Sequence, residues 1–207
     1  MSADRVRRQY ERVAEKYDLR WARYNAASIH ETLRRLDVRP GQRLLDIGCG
    51  TGTLLQRIHQ GTRGIQSTGV DIASPMLKVA ARKLGTGNLL VAADVQALPF
   101  PPERFDLAVS TSSFHYWPNP IGALREIRRV LRPGGRLVIT DWCDDYLICR
   151  FFDRTLRLLD PAHRRAYDRK ECADLLTEAG YRIEAIERYK IDWFWGLMTA
   201  RAERART

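Results

Sequence analysis

The feature that most constrains this chain is a glycine-rich segment between an apolar strand and a helix. The apolar run Leu44–Ile47 contains one acid, Asp46, and glycine then occupies positions 48, 50 and 52. Glycine lacks a Cβ atom, so the backbone there can turn tightly and let a ligand approach closely. A helical pattern begins at Thr53, and the free N–H groups of that helix end favour a carboxylate or a phosphate. The order strand, glycine loop, helix predicts a nucleotide-type cofactor site.

The spacing of these glycines separates two classes of cofactor. The dinucleotide fingerprint is G-x-G-x-x-G, and Thr53 stands where that fingerprint has its third glycine. A pyrophosphate needs the longer turn, whereas a shorter loop led by an acid suits a ligand with a free amine and no phosphate. The segment Asp46–Gly52 resembles motif I of class I S-adenosylmethionine (SAM)-dependent methyltransferases, whose pattern is E/D-x-G-x-G-x-G. The resemblance implies that the cofactor contacts Asp46, Gly48, Cys49, Gly50 and Gly52.

A second acid, Asp71, ends the next apolar-leaning segment, a little over twenty residues past the glycines. An acid at this position can accept hydrogen bonds from both ribose hydroxyls. The same acid would serve NAD, so Asp71 indicates an adenosine ribose more than it indicates SAM. Ser74 and Pro75 then form a typical helix start. Beside the acid, we expect Ile72 and Met76 to contact the cofactor.

Three further segments resemble the same family in the same order. Ala93–Phe100 resembles the segment in which the family's Asp, here Asp94, meets the adenine amino group, with Val95 beside it. Phe105–Ser110 resembles the fourth strand, whose last residue is another expected cofactor contact, and Leu131–Thr140 resembles the turn and fifth strand. The likeness covers roughly residues 40 to 142 well and the flanks loosely.

The N-terminal segment Tyr10–Asp18 narrows the resemblance to the small-molecule branch typified by ubiquinone and menaquinone biosynthesis methyltransferases. In that branch an N-terminal helix with a Tyr-Asp pair folds over the cofactor, which makes Tyr17 an expected lid contact. The resemblance implies methyl transfer from SAM to a small-molecule acceptor by in-line displacement.

The alternation of strand and helix patterns predicts an α/β fold. We expect a Rossmann-like open sheet of seven strands, mostly parallel with an antiparallel C-terminal strand, helices on both faces and an N-terminal helical lid. Its 207 residues suit one domain. The expected parts are a lid (1–39), a cofactor-binding core (40–142), an insertion over the substrate site (143–167) and a closing segment (168–207). The expected elements are helices at 4–18, 24–37, 52–60, 74–84 and 119–131, a helix from Asp168 to Gly180, and strands at 43–47, 65–71, 88–93, 105–111, 136–141, 182–189 and 191–199.

Composition excludes some classes and leaves others open. The chain contains no run of about eighteen apolar residues, so no membrane span is predicted. The N-terminus lacks the apolar core of a secretory signal. The cysteines form no C-x-x-C pair, which favours free thiols and a cytoplasmic location, and no residue spacing is typical of a metal site. The net charge of +10 is spread along the chain among acids, so we expect no stable nucleic-acid partner.

Two residues are candidates for catalysis. His115 follows the fourth strand, where the methyl group is expected, and histidine titrates near neutral pH. Asp141 ends the fifth strand and is expected to face the same crevice. Tyr116 and Trp117 are predicted either to wall the pocket or to pack in the core. The remaining histidines, at positions 30, 59 and 163, receive no role. Some acceptors need a base and others do not, so the sequence leaves the acceptor atom open.

The substrate class is indicated by aromatic segments near the end of the chain. Trp193-Phe194-Trp195 is expected on the final strand, either as packing or as a patch for a lipid-like substrate or a dimer partner. The 144–166 insertion mixes large apolar residues with arginines, which suits an apolar acceptor carrying an acidic group. The alternatives are RNA or protein methylation, a SAM-binding protein without catalysis, and an NAD(P) oxidoreductase. The sequence does not decide between monomer and homodimer.

Overall fold

The computed structural model describes residues 3–159 and 164–206, which form one mixed sheet flanked by helices. No helix in these ranges is long and apolar enough to cross a bilayer. The α-helices, in chain order, are α1 (Ala3–Arg20), α2 (Ala22–Leu33), α3 (Thr53–Gly61), α4 (Ser74–Leu84), α5 (Pro120–Val130), α6 (Leu147–Leu159) and α7 (Arg169–Glu178). The strands are β1 (Arg43–Ile47), β2 (Gln66–Asp71), β3 (Leu89–Ala92), β4 (Phe105–Thr111), β5 (Leu131–Trp142), β6 (Tyr181–Lys190) and β7 (Gly196–Arg204).

The seven strands lie in the order β3-β2-β1-β4-β5-β7-β6. The first five pair in parallel, and β7 is antiparallel to both of its neighbours. The predicted fold class is therefore confirmed. The strand order reverses between β1 and β4, and ligands of open α/β sheets bind outside the carboxyl ends of the strands at such a point.

The central strands bury side chains on both faces of the sheet. In β4, Leu107 and Val109 pack with α2, α3 and α4, whereas Ala108 packs with α5 and α7. Successive side chains of a strand point to opposite faces, so a strand buried on both sides is apolar throughout. This is why Leu44-Leu45 and Leu107-Ala108-Val109 are continuous apolar runs rather than alternating ones.

The last strand was predicted at 191–199, and this prediction is wrong, because β7 spans Gly196–Arg204. The Asp192 side chain accepts hydrogen bonds from the backbone N–H groups of Phe194 and Trp195, at 2.8 and 2.5 Å. These N–H groups therefore bond within a loop and are not available to a neighbouring strand. Trp193-Phe194-Trp195 accordingly lies in the β6–β7 loop, and β7 extends to Arg204, five residues beyond the predicted end at 199.

Two other boundaries differ from the predicted ones by more than two residues. Helix α2 ends at Leu33 rather than at residue 37, and β5 begins at Leu131 rather than at 136. In β5, Leu131 pairs with Phe105, and an irregularity in the β4–β5 register separates this pair from the regular ladder. The turn predicted at Pro133-Gly134-Gly135 is thus part of strand β5. His163 and Thr207 lie outside the described residues.

The predicted start of α7 is confirmed as a capping box. Asp168 accepts a hydrogen bond from the Glu171 backbone N–H at 2.7 Å, and Glu171 accepts one from the Asp168 backbone N–H at 3.1 Å. These two contacts satisfy donors that have no partner within the helix. They fix the position at which α7 begins to pack on β6.

The cap can be tested by urea denaturation. We expect Asp168→Ala to lower the free energy of unfolding by about 1 kcal/mol, because one helix N–H loses its acceptor. Asp168→Asn keeps an acceptor oxygen and should retain most of that stability. Equal losses in the two variants would show that the carboxylate charge, rather than the capping bond, is what matters.

Candidate functional site

The loop between β1 and α3 turns through three glycines in the left-handed region, with φ values of +69°, +53° and +75° at Gly48, Gly50 and Gly52. L-residues with a side chain rarely adopt this conformation. A Cβ atom on Gly48 would also lie 2.6 Å from the Ser113 side chain. The loop therefore needs glycine both for its backbone angles and for the approach of the segment that follows β4.

Asp71, at the carboxyl end of β2, holds this loop in place. Its Oδ2 accepts a hydrogen bond from the Gly50 N–H at 2.9 Å, and its Oδ1 accepts one from the Ala73 N–H at 2.8 Å. Burial raises the pKa of Asp71, and the backbone donors partly offset that rise. Each carboxylate oxygen can accept more than one hydrogen bond, so Asp71 can still accept bonds from a ligand.

Asp46 is the most electrostatically unusual residue of the site. Its side chain is buried, and its Oδ2 has no hydrogen-bond partner among the residues that the structure describes. Burial, together with the nearby Asp71 carboxylate, raises the pKa of Asp46 to about 8. Buried polar atoms without a partner are uncommon in proteins, and this one matches a ligand that brings a positive charge.

Three adjoining cavities open at this end of the sheet. The main cavity has a volume of about 750 Å³ and contains Gly48, Asp71 and Asp94 in its wall. The acid cavity lies behind the glycine loop and reaches Asp46. The aromatic cavity has a volume of about 840 Å³ and is bounded by α1, α2 and the ends of β4 and β5. Tyr17 and Ser112 line all three, so the cavities meet at these two side chains.

The structure brings most of the predicted cofactor contacts together. The main cavity is lined by eight of them, namely Tyr17, Gly48, Gly50, Asp71, Ile72, Met76, Asp94 and Val95. Asp46 and Cys49 line the acid cavity. Gly52 and Ser110 line none of the three: Gly52 caps α3, and the Ser110 hydroxyl is buried against that of Ser113 at 2.7 Å.

Sequence reasoning missed Tyr10 and Ser112, which both line the main cavity. Tyr10 precedes Tyr17 by two turns of α1, so the two rings lie on one helix face, 5.8 Å apart. That periodicity could have identified Tyr10. Ser112 has a φ of +56°, a strained conformation for serine that no local sequence signal announces.

The aromatic cavity contains a histidine held by a carboxylate. His115 Nδ1 lies 2.6 Å from Asp141 Oδ1, and the His115 backbone N–H donates to Asp141 Oδ2. The His115 ring stacks on Trp142, with centroids 4.6 Å apart. His115 lines the aromatic cavity, but Asp141 lines none of the three, contrary to the expectation that it faces the crevice. Its carboxylate is buried because it binds His115 and the Trp142 N–H.

A chain of hydrogen bonds links this pair to the junction of the cavities. The Trp142 Nε1–H donates to the Tyr24 hydroxyl at 2.8 Å, and that hydroxyl lies 2.7 Å from Ser112 Oγ. An indole N–H is a donor only, so the Tyr24 oxygen is the acceptor of the first bond. The polar edge of the aromatic cavity is thereby fixed at Ser112.

Helix α1 is held over the glycine loop by one carboxylate. Asp18 accepts hydrogen bonds from Thr51 Oγ1 at 2.5 Å and from Lys83 Nζ at 2.6 Å. Lys83 also donates to Thr53 Oγ1 at 2.7 Å. Helices α1 and α4 and the glycine loop are thus joined at one point, and Tyr17, next to Asp18, is placed where the three cavities meet.

Comparisons with known proteins relate the chain to methyltransferases. Residues 45–139 match the family model described as "Methyltransferase domain". The chain is 37% identical over 131 residues to a demethylmenaquinone methyltransferase of Thermus thermophilus, covering 60% of the chain and 55% of that protein. It is 36% identical over 120 residues to a fatty-acid O-methyltransferase of Mycolicibacterium smegmatis, covering 58% and 43%. The chain therefore spans about half the length of these relatives.

The fold is shared with solved methyltransferases. One is a chain from the complex between the Haloferax volcanii Trm112 methyltransferase activator and a methyltransferase. It superposes with a TM-score of 0.84 at 18% identity, over 95% of this chain and 97% of that one. At this identity the likeness concerns the fold alone.

The contact between Asp18 and Lys83 gives a direct test of how α1 is held. We expect Lys83→Met to speed amide hydrogen exchange in α1 about five- to thirtyfold, because a charged hydrogen bond contributes about 1–2 kcal/mol to docking. Lys78→Met, on the exposed side of the same helix, is the matched control. Unchanged exchange in the Lys83 variant would mean that other contacts, such as the Glu15–Arg82 pair and apolar packing, hold α1.

Proposed function

The chain belongs to the class I SAM-dependent methyltransferases, and from this membership we propose that it methylates a small apolar acceptor that bears a hydroxyl group. SAM supplies an activated methyl group on a sulfonium sulfur, which is transferred by in-line displacement. The protein then has to bind and orient the two reactants and exclude water from them. Effective positioning lowers the activation barrier by up to about 7–11 kcal/mol.

The observation that carries SAM as the methyl donor is the buried Asp46 carboxyl group with its unpartnered Oδ2. The methionine part of SAM brings an ammonium group, which is the complement of this carboxylate. Asp46 lies in the acid cavity, which joins the main cavity at Tyr17, Gly48 and Gly50. The residues present therefore fit the cofactor, and the glycine loop lets the protein backbone approach it closely.

We assign the adenosine part to the main cavity. Asp71 keeps hydrogen-bond capacity for the ribose hydroxyls after binding Gly50 and Ala73. Asp94, braced by the Gln96 backbone N–H at 2.9 Å, is assigned to the adenine amino group, with Val95 and Met76 as apolar walls. Ile72 completes the wall, whereas Gly52 and Ser110 act by shaping the loops.

On the acceptor side, we propose His115 as general base and Asp141 as its positioning residue. With Asp141 Oδ1 as acceptor, His115 donates through Nδ1, which leaves Nε2 as the ring nitrogen that can accept a proton from a ligand. His115 lines the aromatic cavity, which meets the main cavity at Tyr17 and Ser112. With SAM bound as the methyl donor, His115 Nε2 would take the proton of the acceptor hydroxyl as that oxygen is methylated.

The remaining assignments concern the parts of the chain, its location and its partners. Residues 1–39 are proposed as the lid, 40–142 as the cofactor core, 143–167 as the cover of the acceptor site and 168–207 as the closing segment. All four cysteines are free and buried, which supports a reducing, cytoplasmic location. We propose a small-molecule partner, no stable nucleic-acid partner, and a monomer or homodimer.

The cofactor assignment predicts a pH dependence of S-adenosylhomocysteine binding. Below pH 8 the Asp46 carboxyl is protonated in the free protein, and the ligand ammonium favours its ionised form. Calorimetric affinity should therefore rise up to about tenfold per pH unit between pH 6 and 8 and level off above pH 8. Asp46→Asn should bind roughly ten- to a hundredfold more weakly at pH 8 and lose the slope.

The control is Asp106→Asn, which alters another buried acid, one that accepts a bond from the Arg43 N–H outside the three cavities. It should bind as wild type does. Binding by the wild type that is independent of pH from 6 to 8, or equal losses in the two variants, would contradict the assignment of Asp46. Preference for NADH over S-adenosylhomocysteine would contradict the cofactor itself.

The base can be tested with two classes of acceptor in a radiolabelled methyl-transfer assay. For phenolic acceptors we expect His115→Gln to lower kcat about a hundredfold or more, because the hydroxyl must lose a proton. For long-chain carboxylic acids, which are already ionised at neutral pH, the same change should have little effect. His59→Gln, outside the three cavities and bonded to Ser67, is the control. Equal losses for both acceptor classes would assign His115 to shaping the cavity only.

A further inference from the structure

Three large apolar side chains are exposed on one side of the molecule. Leu147 and Phe151 on α6 are 78% and 69% exposed, and Trp193 in the β6–β7 loop is 78% exposed. The Phe194 ring contacts both Trp193 and Phe152 of α6, which places the loop beside the helix. We call Leu147, Phe151 and Trp193 the exposed patch. Exposed apolar groups that gather in this way mark interaction surfaces.

The outward face of α6 is both apolar and basic. Successive helix residues are rotated by about 100°, so Leu147, Arg150, Phe151 and Arg154 fall within an arc of roughly 100°. The opposite side carries Cys149, which is buried against Gly196. Helix α6 therefore presents alternating apolar and cationic groups on the side that faces away from the sheet.

The acid of α6 is placed on the inner side. Asp153 is buried, and its carboxylate accepts a hydrogen bond from the Ala166 N–H at 2.5 Å. Arg154 is exposed, and Arg150 keeps 41% of its side-chain exposure although it pairs with Asp144. The outward face is thus positively charged, which complements an anionic surface. A helix with apolar anchors and flanking arginines is typical of those that lie in the headgroup region of a bilayer.

A continuous set of aromatic rings leads from the exposed patch to the aromatic cavity. Phe152 packs on Phe194, with ring centroids 4.6 Å apart, and Phe194 packs on Trp195 at 4.7 Å. Trp195 in turn contacts Trp142 at 4.9 Å and Tyr24 at 5.2 Å, and both of these line the aromatic cavity. The surface and the proposed acceptor site are therefore connected by apolar side chains.

We propose that the exposed patch and the arginines of α6 dock the protein on an anionic lipid bilayer, from which an apolar acceptor reaches the aromatic cavity. This deepens the proposed function and rests on it for the identity of the cavity. The occupant is a lipid surface because the exposed patch adjoins the arginines of α6, and the described part of that helix has no exposed acid. The exposed Asp192, beside Trp193, is engaged by the backbone N–H groups of Phe194 and Trp195.

Vesicle flotation tests the docking with the full chain. We expect binding to vesicles of phosphatidylcholine with phosphatidylglycerol, little binding to phosphatidylcholine alone, and loss of binding at high salt. The double variant Phe151→Ser, Trp193→Ser should bind roughly tenfold less or weaker still, since two anchors are lost. Arg154→Gln should weaken binding only to the anionic vesicles. Leu89→Ser, an exposed leucine on β3 at the other edge of the sheet, is the matched control and should bind as wild type does.

Two results would overturn the docking proposal. One is wild-type protein that does not float with anionic vesicles, or that floats equally well after the patch is changed. The other is a dimer in gel filtration that the double variant abolishes while flotation is absent, which would assign the patch to a second copy of the chain. Calorimetry with S-adenosylhomocysteine on the same samples separates the two proposals: its binding is independent of the patch and reports on the cofactor site alone.

Discussion

The organisation of this protein depends on a carboxyl group that the fold buries without a cationic partner among the described residues. Asp46 lies on the central strand β1, and its pKa is raised by burial and by the carboxylate of another acid, Asp71. A charged form there is costly in the absence of a cation, so the group is protonated up to about pH 8. A cationic ligand would therefore stabilise the ionised form of Asp46 and supply a hydrogen-bond donor to its Oδ2. The glycine loop beside it gives such a ligand access, because three left-handed residues keep side chains out of the way.

The sheet order explains why the other groups meet at this carboxyl. Strand β1 lies between β2 and β4, so the residues that follow all three strands converge on one edge of the sheet. Asp71 ends β2 and bonds the glycine loop, and Ser113 packs on Gly48 from the segment after β4. Helix α1 covers this edge through Asp18 and Lys83. The main cavity and the aromatic cavity are thereby held side by side, with Tyr17 and Ser112 at the boundary between them.

Much of this arrangement could be predicted from the sequence, because the signals are local. Apolar runs buried on both faces, a glycine loop and a capping box each depend on a few adjacent residues. The end of the chain was misjudged for a physical reason: Ala200 and Ala202 alternate with charged residues, and these small side chains suffice to fill a core position between neighbouring strands. The aromatic run Trp193-Phe194-Trp195 has the composition of a strand, but Asp192 accepts hydrogen bonds from the N–H groups of Phe194 and Trp195 and holds the run in a loop.

The contacts that define the aromatic cavity depend on long-range geometry, which sequence patterns do not encode. The pairing of His115 with Asp141 joins residues far apart in the chain, and the strained Ser112 is placed by the Tyr24 hydroxyl of α2. The most direct measurement is a crystal structure of the full chain with S-adenosylhomocysteine. We expect its amino group within hydrogen-bond distance of Asp46 Oδ2, its ribose hydroxyls on Asp71, and its sulfur facing the aromatic cavity between Tyr17 and Ser112. An amino group bound elsewhere, with Asp46 still unpartnered, would contradict this account.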